Sequence, residues 1–256
     1  KKLEELEGLS ATEKANMLFI VQDPYTSYYD AKVVRDFVAL TQKLGFEPII
    51  LPFKPNGKAM HIKGFLARFS KTAKTQAEFL NRVAKLNVPL VGVDPAIVLS
   101  YRDEYKEALG DSRGDFHVLT VHEWLTNQLE SNALQSAVKN IAKSDRTFKW
   151  HLFPHCTEST FMPNSPKEWQ HIFAQFGQTL KVEKVGCCGM AGVFGHEVQN
   201  QTMSKDIYNV SWGKKLQGKD PNYCLATGYS CRSQVKRYEK AILKHPVQAL
   251  LEVLNN

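Results

Sequence analysis

The residues of this sequence most suited to chemistry are its five cysteines, which all lie in the second half of the chain. Two of them, Cys187 and Cys188, are adjacent and stand in the small-residue run 186–192 (GCCGMAG). Neighbouring cysteines form a poor disulfide, because the bond needs Cα atoms farther apart than adjacent residues allow without distortion. Glycines let the main chain approach a bound group closely, and thiolates are soft ligands. The run is therefore typical of a turn that holds an inorganic cluster or a metal ion.

The other three cysteines, Cys156, Cys224 and Cys231, lie near the ends of predicted strands. This half repeats the strand–helix plan of the first, which predicts strands at 148–153, 181–185 and 223–227 and a long helix at 230–243. In a parallel α/β sheet, the loops beyond the carboxyl ends of the strands meet at one edge. We therefore expect Cys156, Cys187, Cys188 and Cys231 to lie together, whereas Cys224 stands earlier in its strand.

Two simpler interpretations of these residues remain open. The cysteines could be buried as small apolar side chains, although this suits one or two of them better than five positions near strand ends. Polar residues also flank the cysteines and could assist them. We expect these to be helix caps or surface residues rather than substrate contacts, proton donors or partners of the ligands: His155, Glu158, His196 and Glu197.

Strands alternate with helices along the whole chain, which predicts an α/β fold. In the first half, apolar runs predict strands at 17–21, 48–51, 88–93 and 116–120. Helical spacing of apolar residues predicts helices at 30–44, 77–86, 96–109 and 121–134. In the second half, helices are expected at 166–176, 206–216, 230–243 and 247–254. The charged stretch 139–146 reads as a boundary between two domains.

The second half repeats the plan of the first at a fixed distance of 132 positions. This shift places Ser27 on Ser159, Gly45 on Gly177, Gly57 on Gly189 and Ala59 on Ala191. It also sets Pro24 against Cys156, and Pro55-Asn56 against the double cysteine. We predict two tandem pseudo-duplicated halves, each a small, mostly parallel sheet with flanking helices. Residues 1–138 would be a repeat without thiols, preceded by a helix, and 139–256 the repeat with all five.

Composition excludes several classes of function. The net charge of +7 is spread along the chain, and no nucleic-acid motif is present. No apolar run approaches the roughly 20 residues that a membrane helix needs. Without a secretory pattern, free thiols predict a reducing compartment, hence a cytoplasmic protein or one peripheral to the inner membrane. The first residues read like a helix that begins midway, which predicts a piece of a longer protein.

The cysteine pattern resembles that of the cysteine-rich CCG domain family. The motifs that carry the resemblance are Gly186-Cys187-Cys188-Gly189, with Cys156 before it and Cys224 and Cys231 after it. The family includes the cysteine-rich component of heterodisulfide reductase and the iron–sulfur components of glycolate, lactate and anaerobic glycerol-3-phosphate dehydrogenases, and it commonly carries the domain twice. The stretches 187–197 (CCGMAGVFGHE) and 226–234 (ATGYSCRSQ) are similar to one branch: large bacterial FAD-linked oxidases of 2-hydroxyacids, above all D-2-hydroxyglutarate.

The resemblance covers essentially the whole chain and implies the C-terminal part of such an oxidase. A flavin domain and a ferredoxin-like segment would share the polypeptide, and electrons would pass from FAD through iron–sulfur centres to an acceptor. No flavin fingerprint occurs in these residues, so FAD would bind upstream. By the same resemblance, the residues that hold a 4Fe-4S cluster would be Cys156, Cys187, Cys188, Cys224 and Cys231.

The sequence departs from the family pattern in one respect that bears on the ligands. The last family element is usually Cys-x-x-Cys, and Gly228 stands where its first cysteine would fall, which weakens the assignment of Cys224. Thiolates also suit zinc, so a structural or interaction module with zinc or no metal is an alternative. Further alternatives are part of a glycolate- or lactate-type oxidase, and a thiol–disulfide catalyst that acts through Cys187 or Cys188.

Overall fold

The fold was obtained as a computed structural model, which describes residues 3–131, 133–134, 138 and 147–255. The chain divides into two compact units, Lys1–Trp124 and Leu125–Asn256. The charged stretch 139–146, predicted as the domain boundary, lies outside the described residues, so that boundary stays a prediction. Each unit has its own parallel sheet.

The sheet of the first unit has the strand order β2-β1-β3-β4, and all its described pairings are parallel. The strands are β1 (Met17–Val21), β2 (Glu47–Ile50), β3 (Leu90–Gly92) and β4 (Val118–Thr120). Every residue of β1 is buried. A continuous apolar run is what a central strand needs when helices cover both faces of a parallel sheet, so β1 forms at the middle of the layer.

Helices alternate with these strands and supply most of the apolar core. Between residues 3 and 130 they are Leu3–Glu7, Ala11–Lys14, Pro24–Tyr28, Ala31–Lys43, Lys58–Ile62, Leu66–Ala84, Pro95–Arg102, Glu104–Leu109 and Val121–Glu130. The helix Leu66–Ala84 buries Phe69, Ala73, Ala77 and Leu80, spaced by three or four residues on one face. This stripe packs the helix against the sheet.

The sheet of the second unit has the order β6-β5-β7 and is also parallel. Its strands are β5 (Lys149–Phe153), β6 (Thr179–Val182) and β7 (Cys224–Ala226). The helices are Cys156–Phe161, Ser165–Gln175, Gln201–Leu216, Tyr229–Glu239 and Pro246–Asn255. A parallel bridge between Leu225 and Lys244 occupies the place that β4 has in the first unit.

The strand register confirms the predicted duplication. In the first unit Met17 pairs with Glu47, and in the second Lys149 pairs with Thr179, so adding 132 to each number converts one pairing into the other. The third strand needs a shift of 134, because Leu90 and Cys224 occupy matching places beside the central strands. The α/β class and the two repeated halves are thus confirmed, with a two-residue insertion before the third strand.

The repeated glycines have the same backbone conformation in both units. Gly45 and Gly177 have φ values of 90° and 68°, and Gly57 and Gly189 have φ values of 78° and 82°. This left-handed region is open to glycine at little cost and is unfavourable for other residues. The identities seen in the sequence therefore mark two turns that the fold requires.

Several predicted helix boundaries were wrong. The helix expected at 96–109 is two helices that meet at Asp103, and the one expected at 77–86 begins eleven residues earlier, at Leu66. The helix expected to end at 243 ends at Glu239, because Lys240 takes a left-handed conformation with a φ of 57°. Among the helices of the described residues, none has the length and apolar character needed to cross a membrane.

A buried carboxyl group lies at the carboxyl end of β1 in the first unit. Asp23 is 2% exposed and caps the helix Pro24–Tyr28, accepting hydrogen bonds from the main-chain nitrogens of Tyr25 (2.8 Å) and Thr26 (2.9 Å). Burial, together with the neighbouring charge of Asp94, raises the pKa of Asp23 to about 6. Since an unfolded aspartate titrates near 4, the folded state holds this proton more tightly.

We predict that the Asp23→Asn variant becomes more stable relative to the parent chain as the pH rises. The stabilisation from the raised pKa is fully present below about pH 4 and is lost as the pH passes through about 6. Asparagine also caps helices but does not ionise, so the variant should gain about 2 kcal/mol on the parent between pH 4.5 and pH 8. Urea unfolding at both pH values measures the difference. The exposed Asp111→Asn is the control, and a difference independent of pH would contradict the prediction.

Candidate metal centre

Four cysteines of the second unit lie together beyond the carboxyl ends of its strands. Cys156 begins the helix after β5, Cys187 and Cys188 follow β6, and Cys231 lies in the first turn of the helix after β7. The thiols shift pKa values in series: Cys156 and Cys187 shift each other's, Cys187 and Cys188 shift each other's, and Cys231 shifts that of Cys188. The structure thus brings together the four cysteines that the strand-end argument expected to meet.

One thiol of the series is favoured as the thiolate. Cys187 has its pKa held well below the usual range, because it accepts hydrogen bonds from the thiols of Cys156 and Cys188 and from main-chain N–H groups. The Gly189 nitrogen lies 3.3 Å from Cys187 Sγ. The hydrogen bonds to Cys187 raise the pKa values of Cys156 and Cys188, with burial adding to the effect. The group therefore carries its negative charge at Cys187.

The double-cysteine turn has a backbone that few sequences can adopt. Gly189, Ala191 and Gly192 have φ values of 82°, 41° and 70°. A Cβ atom on Gly189 would lie 2.1 Å from the main-chain oxygen of Ser204, so only glycine fits there. The start of the turn is fixed by Trp212, whose Nε1 donates to the Gly186 oxygen at 3.0 Å. These contacts set the direction in which the two thiols leave the main chain.

His155 caps the helix Cys156–Phe161, as the sequence predicted. Its Nδ1 accepts a hydrogen bond from the Thr157 nitrogen at 3.2 Å, so Nε2 carries the proton and faces Ser230 Oγ at 3.2 Å. Both ring nitrogens are engaged, and neither is available as a ligand. A Cβ atom on Gly228 would lie 2.3 Å from His155 Cδ2. The imidazole therefore occupies the space that a cysteine at 228 would need.

Glu158 is fully buried, contrary to the expected cap or surface position. It is 0% exposed and accepts hydrogen bonds from Ser165, Thr227 and Trp169. Burial raises its pKa despite these donors. Thr227 Oγ1 also accepts from the His155 nitrogen at 2.9 Å, which joins the ends of β5 and β7. The role of Thr227 was missed, because one threonine at a strand end carries no distinctive sequence signal.

The other two flanking residues, His196 and Glu197, follow the double-cysteine turn in the chain and interact with Arg237 and Asn200. His196 is exposed, and its Nδ1 lies 3.1 Å from an Arg237 side-chain nitrogen. Glu197 accepts a hydrogen bond from Asn200 Nδ2 at 2.7 Å. Their surface placement agrees with the expectation from the sequence.

Cys224 takes no part in the electrostatic interactions among the other thiols, although it lies in the same apolar cluster as Cys188 and Cys231. It is 0% exposed at the start of β7, within the apolar core of the unit. Burial raises its pKa to about 11, and the charged groups that act on it are Lys219, Glu183 and Asp220, with no cysteine among them. The geometry therefore supports the four-thiol group, and the ligand role of Cys224 stays a prediction.

The chemistry of the four thiols fits a thiolate-bound metal or cluster, although their arrangement is not that of a formed metal site. Within the described parts of the chain, no three His, Cys, Asp or Glu side chains are placed to hold one metal ion together. The sulfur atoms contact one another in pairs, and one of them is favoured as a thiolate by N–H donors. A soft donor set of this kind suits iron–sulfur chemistry or zinc.

The same edge of the first unit carries no thiol. Pro24 stands at the position of Cys156 and Asn56 at that of Cys188, by the shift of 132 that relates the first two strands. Asn56 is buried, 3% exposed, and its side-chain oxygen accepts a hydrogen bond from the Lys58 nitrogen at 2.9 Å. This edge has amide and carboxyl groups in place of soft ligands.

Comparison with known proteins relates the chain to dehydrogenases. It is 80% identical over 254 residues to D-2-hydroxyglutarate dehydrogenase of Haemophilus influenzae, and 57% identical over 252 residues to that of Escherichia coli. These alignments cover 99% and 98% of this chain but 25% and 24% of those proteins, so the chain spans about a quarter of their length.

A more distant similarity joins it to one component of the anaerobic glycerol-3-phosphate dehydrogenase of Escherichia coli. The identity is 21% over 236 residues, covering 90% of this chain and 57% of that component. No protein-family model matches the chain. The predicted similarity to the hydroxyglutarate dehydrogenases is confirmed, and membership of the CCG family stays a prediction.

We predict that Gly189→Ala destabilises the second unit far more than Gly177→Ala does. Both residues have positive φ, but a Cβ atom at 177 meets no atom within 4 Å, whereas at 189 it overlaps the Ser204 main chain. Gly177→Ala should therefore cost about 1–2 kcal/mol for the backbone conformation alone. Gly189→Ala adds the overlap and should cost about 3–5 kcal/mol. Urea unfolding measures both, and equal losses would show that the close approach to Ser204 is not as described.

Proposed function

We propose that this chain is the cysteine-rich electron-transfer part of an FAD- and iron–sulfur-dependent dehydrogenase that oxidises D-2-hydroxyglutarate to 2-oxoglutarate. The observation that carries the proposal is the meeting of Cys156, Cys187, Cys188 and Cys231 at one sheet edge. The 80% identity to a hydroxyglutarate dehydrogenase supports the choice of enzyme. The chain would be a C-terminal part, with the flavin and a ferredoxin-like segment elsewhere in the polypeptide.

The four cysteines would hold a 4Fe-4S cluster, which supplies a carrier of single electrons. Cys188 and Cys231 are 2% and 1% exposed, so they would form the inner, water-excluded side of the centre. Cys156 and Cys187 are half-buried and would form its outer side. Because ligands bind as thiolates, the protons of the thiol series would be released on binding. The main-chain N–H groups that face Cys187 would stabilise the negative charge that remains.

The remainder of the activity belongs to other parts of the polypeptide. Oxidation of the 2-hydroxyacid to the 2-oxoacid removes two electrons and two protons, which the upstream FAD is proposed to accept. Free thiols suit a reducing compartment, so we place the protein in the cytoplasm or at the inner surface of the inner membrane.

Zinc is the alternative occupant, because four cysteine sulfurs also match a structural zinc site. A zinc-bound module would have a structural or interaction role and no part in electron transfer. Metal analysis separates the two, since an iron–sulfur cluster requires iron and acid-labile sulfide in similar amounts, and zinc requires neither.

We predict that Cys187→Ser, introduced into the full-length polypeptide and purified without oxygen, removes most of the iron and sulfide that this part holds. Its thiolate accepts donors from both neighbouring cysteines, so its loss breaks the series at its centre. Electron transfer to the acceptor should fall by about 10- to 100-fold, as is usual when a metal site is disrupted. Flavin reduction by D-2-hydroxyglutarate in a single turnover should persist.

Cys224→Ser is the matched control, because no other thiol is among the groups that act on Cys224. It should retain the iron, sulfide and electron transfer of the parent. Activity that survives Cys187→Ser in an iron-free protein would refute the electron-transfer role. One zinc per chain with unchanged electron transfer would favour the structural alternative.

A further inference from the structure

A buried glutamine and a buried serine contact the main chain of the double-cysteine turn. Gln234 and Ser204 are both 0% exposed. Gln234 Nε2 donates to the Cys188 oxygen at 2.9 Å and to Ser204 Oγ at 2.8 Å. Ser204 Oγ in turn donates to the Gly189 oxygen at 2.7 Å. Two consecutive carbonyl groups of the turn are therefore held by two side chains from separate helices.

The direction of these hydrogen bonds is fixed by the groups available. The hydroxyl of Ser204 has one proton, which goes to the Gly189 oxygen, so the hydroxyl must accept from the Gln234 amide. The amide donates one proton to Ser204 Oγ and the other to the Cys188 oxygen. An aliphatic side chain at 234 would remove the donor to the buried Cys188 oxygen, and losses of this kind are costly in the interior. Ser204 Oγ would keep only the longer hydrogen bond from Tyr238 Oη, at 3.4 Å.

We propose that Gln234 and Ser204 are positioning residues of the candidate metal centre. They hold the peptide groups on either side of the left-handed Gly189 turn, so that the side chain of Cys188 points inward to Cys187 and Cys231. The metal-binding part of this assignment rests on the proposed function, whereas the hold on Cys188 does not. Neither residue contacts a thiol in the hydrogen bonds found among the described residues, so they act through the main chain.

The first unit holds the matching carbonyl by a different residue. The Asn56 oxygen, at the place of Cys188, accepts a hydrogen bond from Tyr105 Oη at 2.7 Å. Tyr105 is 0% exposed and belongs to a helix that follows β3. A buried donor to this carbonyl thus occurs in both units. Only in the second unit does the residue whose carbonyl accepts this hydrogen bond carry a thiol.

The test is Gln234→Met, which keeps an unbranched chain of similar size and removes both donors. Its first measurement is pulsed alkylation of the metal-free chain, followed by peptide mass spectrometry. We expect Cys188 to react at least about tenfold faster than in the parent, since release of the turn opens its buried side. Cys224, buried in the same unit, reports on general unfolding and should keep its parental rate. Gln76→Met, at a buried glutamine of the first unit, is the control and should change neither rate.

The second measurement is the iron content and electron paramagnetic resonance spectrum of the full-length polypeptide reconstituted without oxygen. Loss of a residue that supports a ligand lowers metal affinity by about 10- to 100-fold, and the spectrum should shift even where the cluster is retained. Ser204→Ala, a smaller change, should reproduce both effects in weaker form and guards against a Gln234 variant that does not fold.

The outcomes separate this inference from the proposed function. Faster alkylation of Cys188 alone supports the positioning role, even if the parent binds no iron and the proposed function fails. Equal acceleration of Cys188 and Cys224 would mean a general loss of packing and would overturn the inference. A parental alkylation rate and a parental spectrum in both variants would overturn it as well, while leaving the iron–sulfur proposal intact.

Discussion

The left-handed turn at Gly189 is the constraint on which the cysteine edge depends. Its φ of 82° and its approach to the Ser204 main chain admit no side chain. Because β6 is an outer strand beside β5, the chain leaving it must bend sharply to bring a side chain over the ends of β5 and β7. The turn makes this bend directly after Cys187 and Cys188. The parallel topology brings the thiols to one edge, and the turn sets the direction of the two that follow β6.

The thiol series also shows how the protein limits the cost of crowding acidic groups. Four neighbouring thiols cannot all ionise where water is largely excluded, because each charge raises the pKa of the next. Charge is favoured at Cys187, which receives two thiol donors and main-chain N–H groups, while Cys156 and Cys188 keep their protons as donors. A bound cation or cluster would replace these protons. The main-chain N–H groups that donate to Cys187 would remain after these protons are lost.

The features that the sequence predicted well are those that follow from a repeating pattern or from topology. A continuous apolar run located β1, because a central parallel strand is buried on both faces. The strand-end rule then placed four cysteines at one edge without knowledge of any contact. The break at Asp103 was missed, since an amphipathic pattern that continues through two short helices looks like one helix.

Residues that act through single contacts could not be found in this way. Gln234 and Ser204 lie on helices in which one buried polar residue gives no periodic signal, and their partners are main-chain atoms far along the chain. The burial of Glu158 was not predicted for the same reason, because its hydrogen-bond donors come from separate elements. A sequence motif indicates which residues do the chemistry. The residues that hold them in place depend on which main-chain groups the fold leaves in need of a hydrogen-bond partner.

The comparison of the two units separates the requirements of the fold from those of the chemistry. The first unit keeps the strand register, the left-handed turn at Gly57 and a buried donor to the turn carbonyl, and it does so with Asn56 in place of a cysteine. These features stabilise the turn through main-chain groups and do not require sulfur. The thiols of the second unit are therefore not needed to form the edge on which they stand. The proposed metal centre would account for their presence at four of its positions.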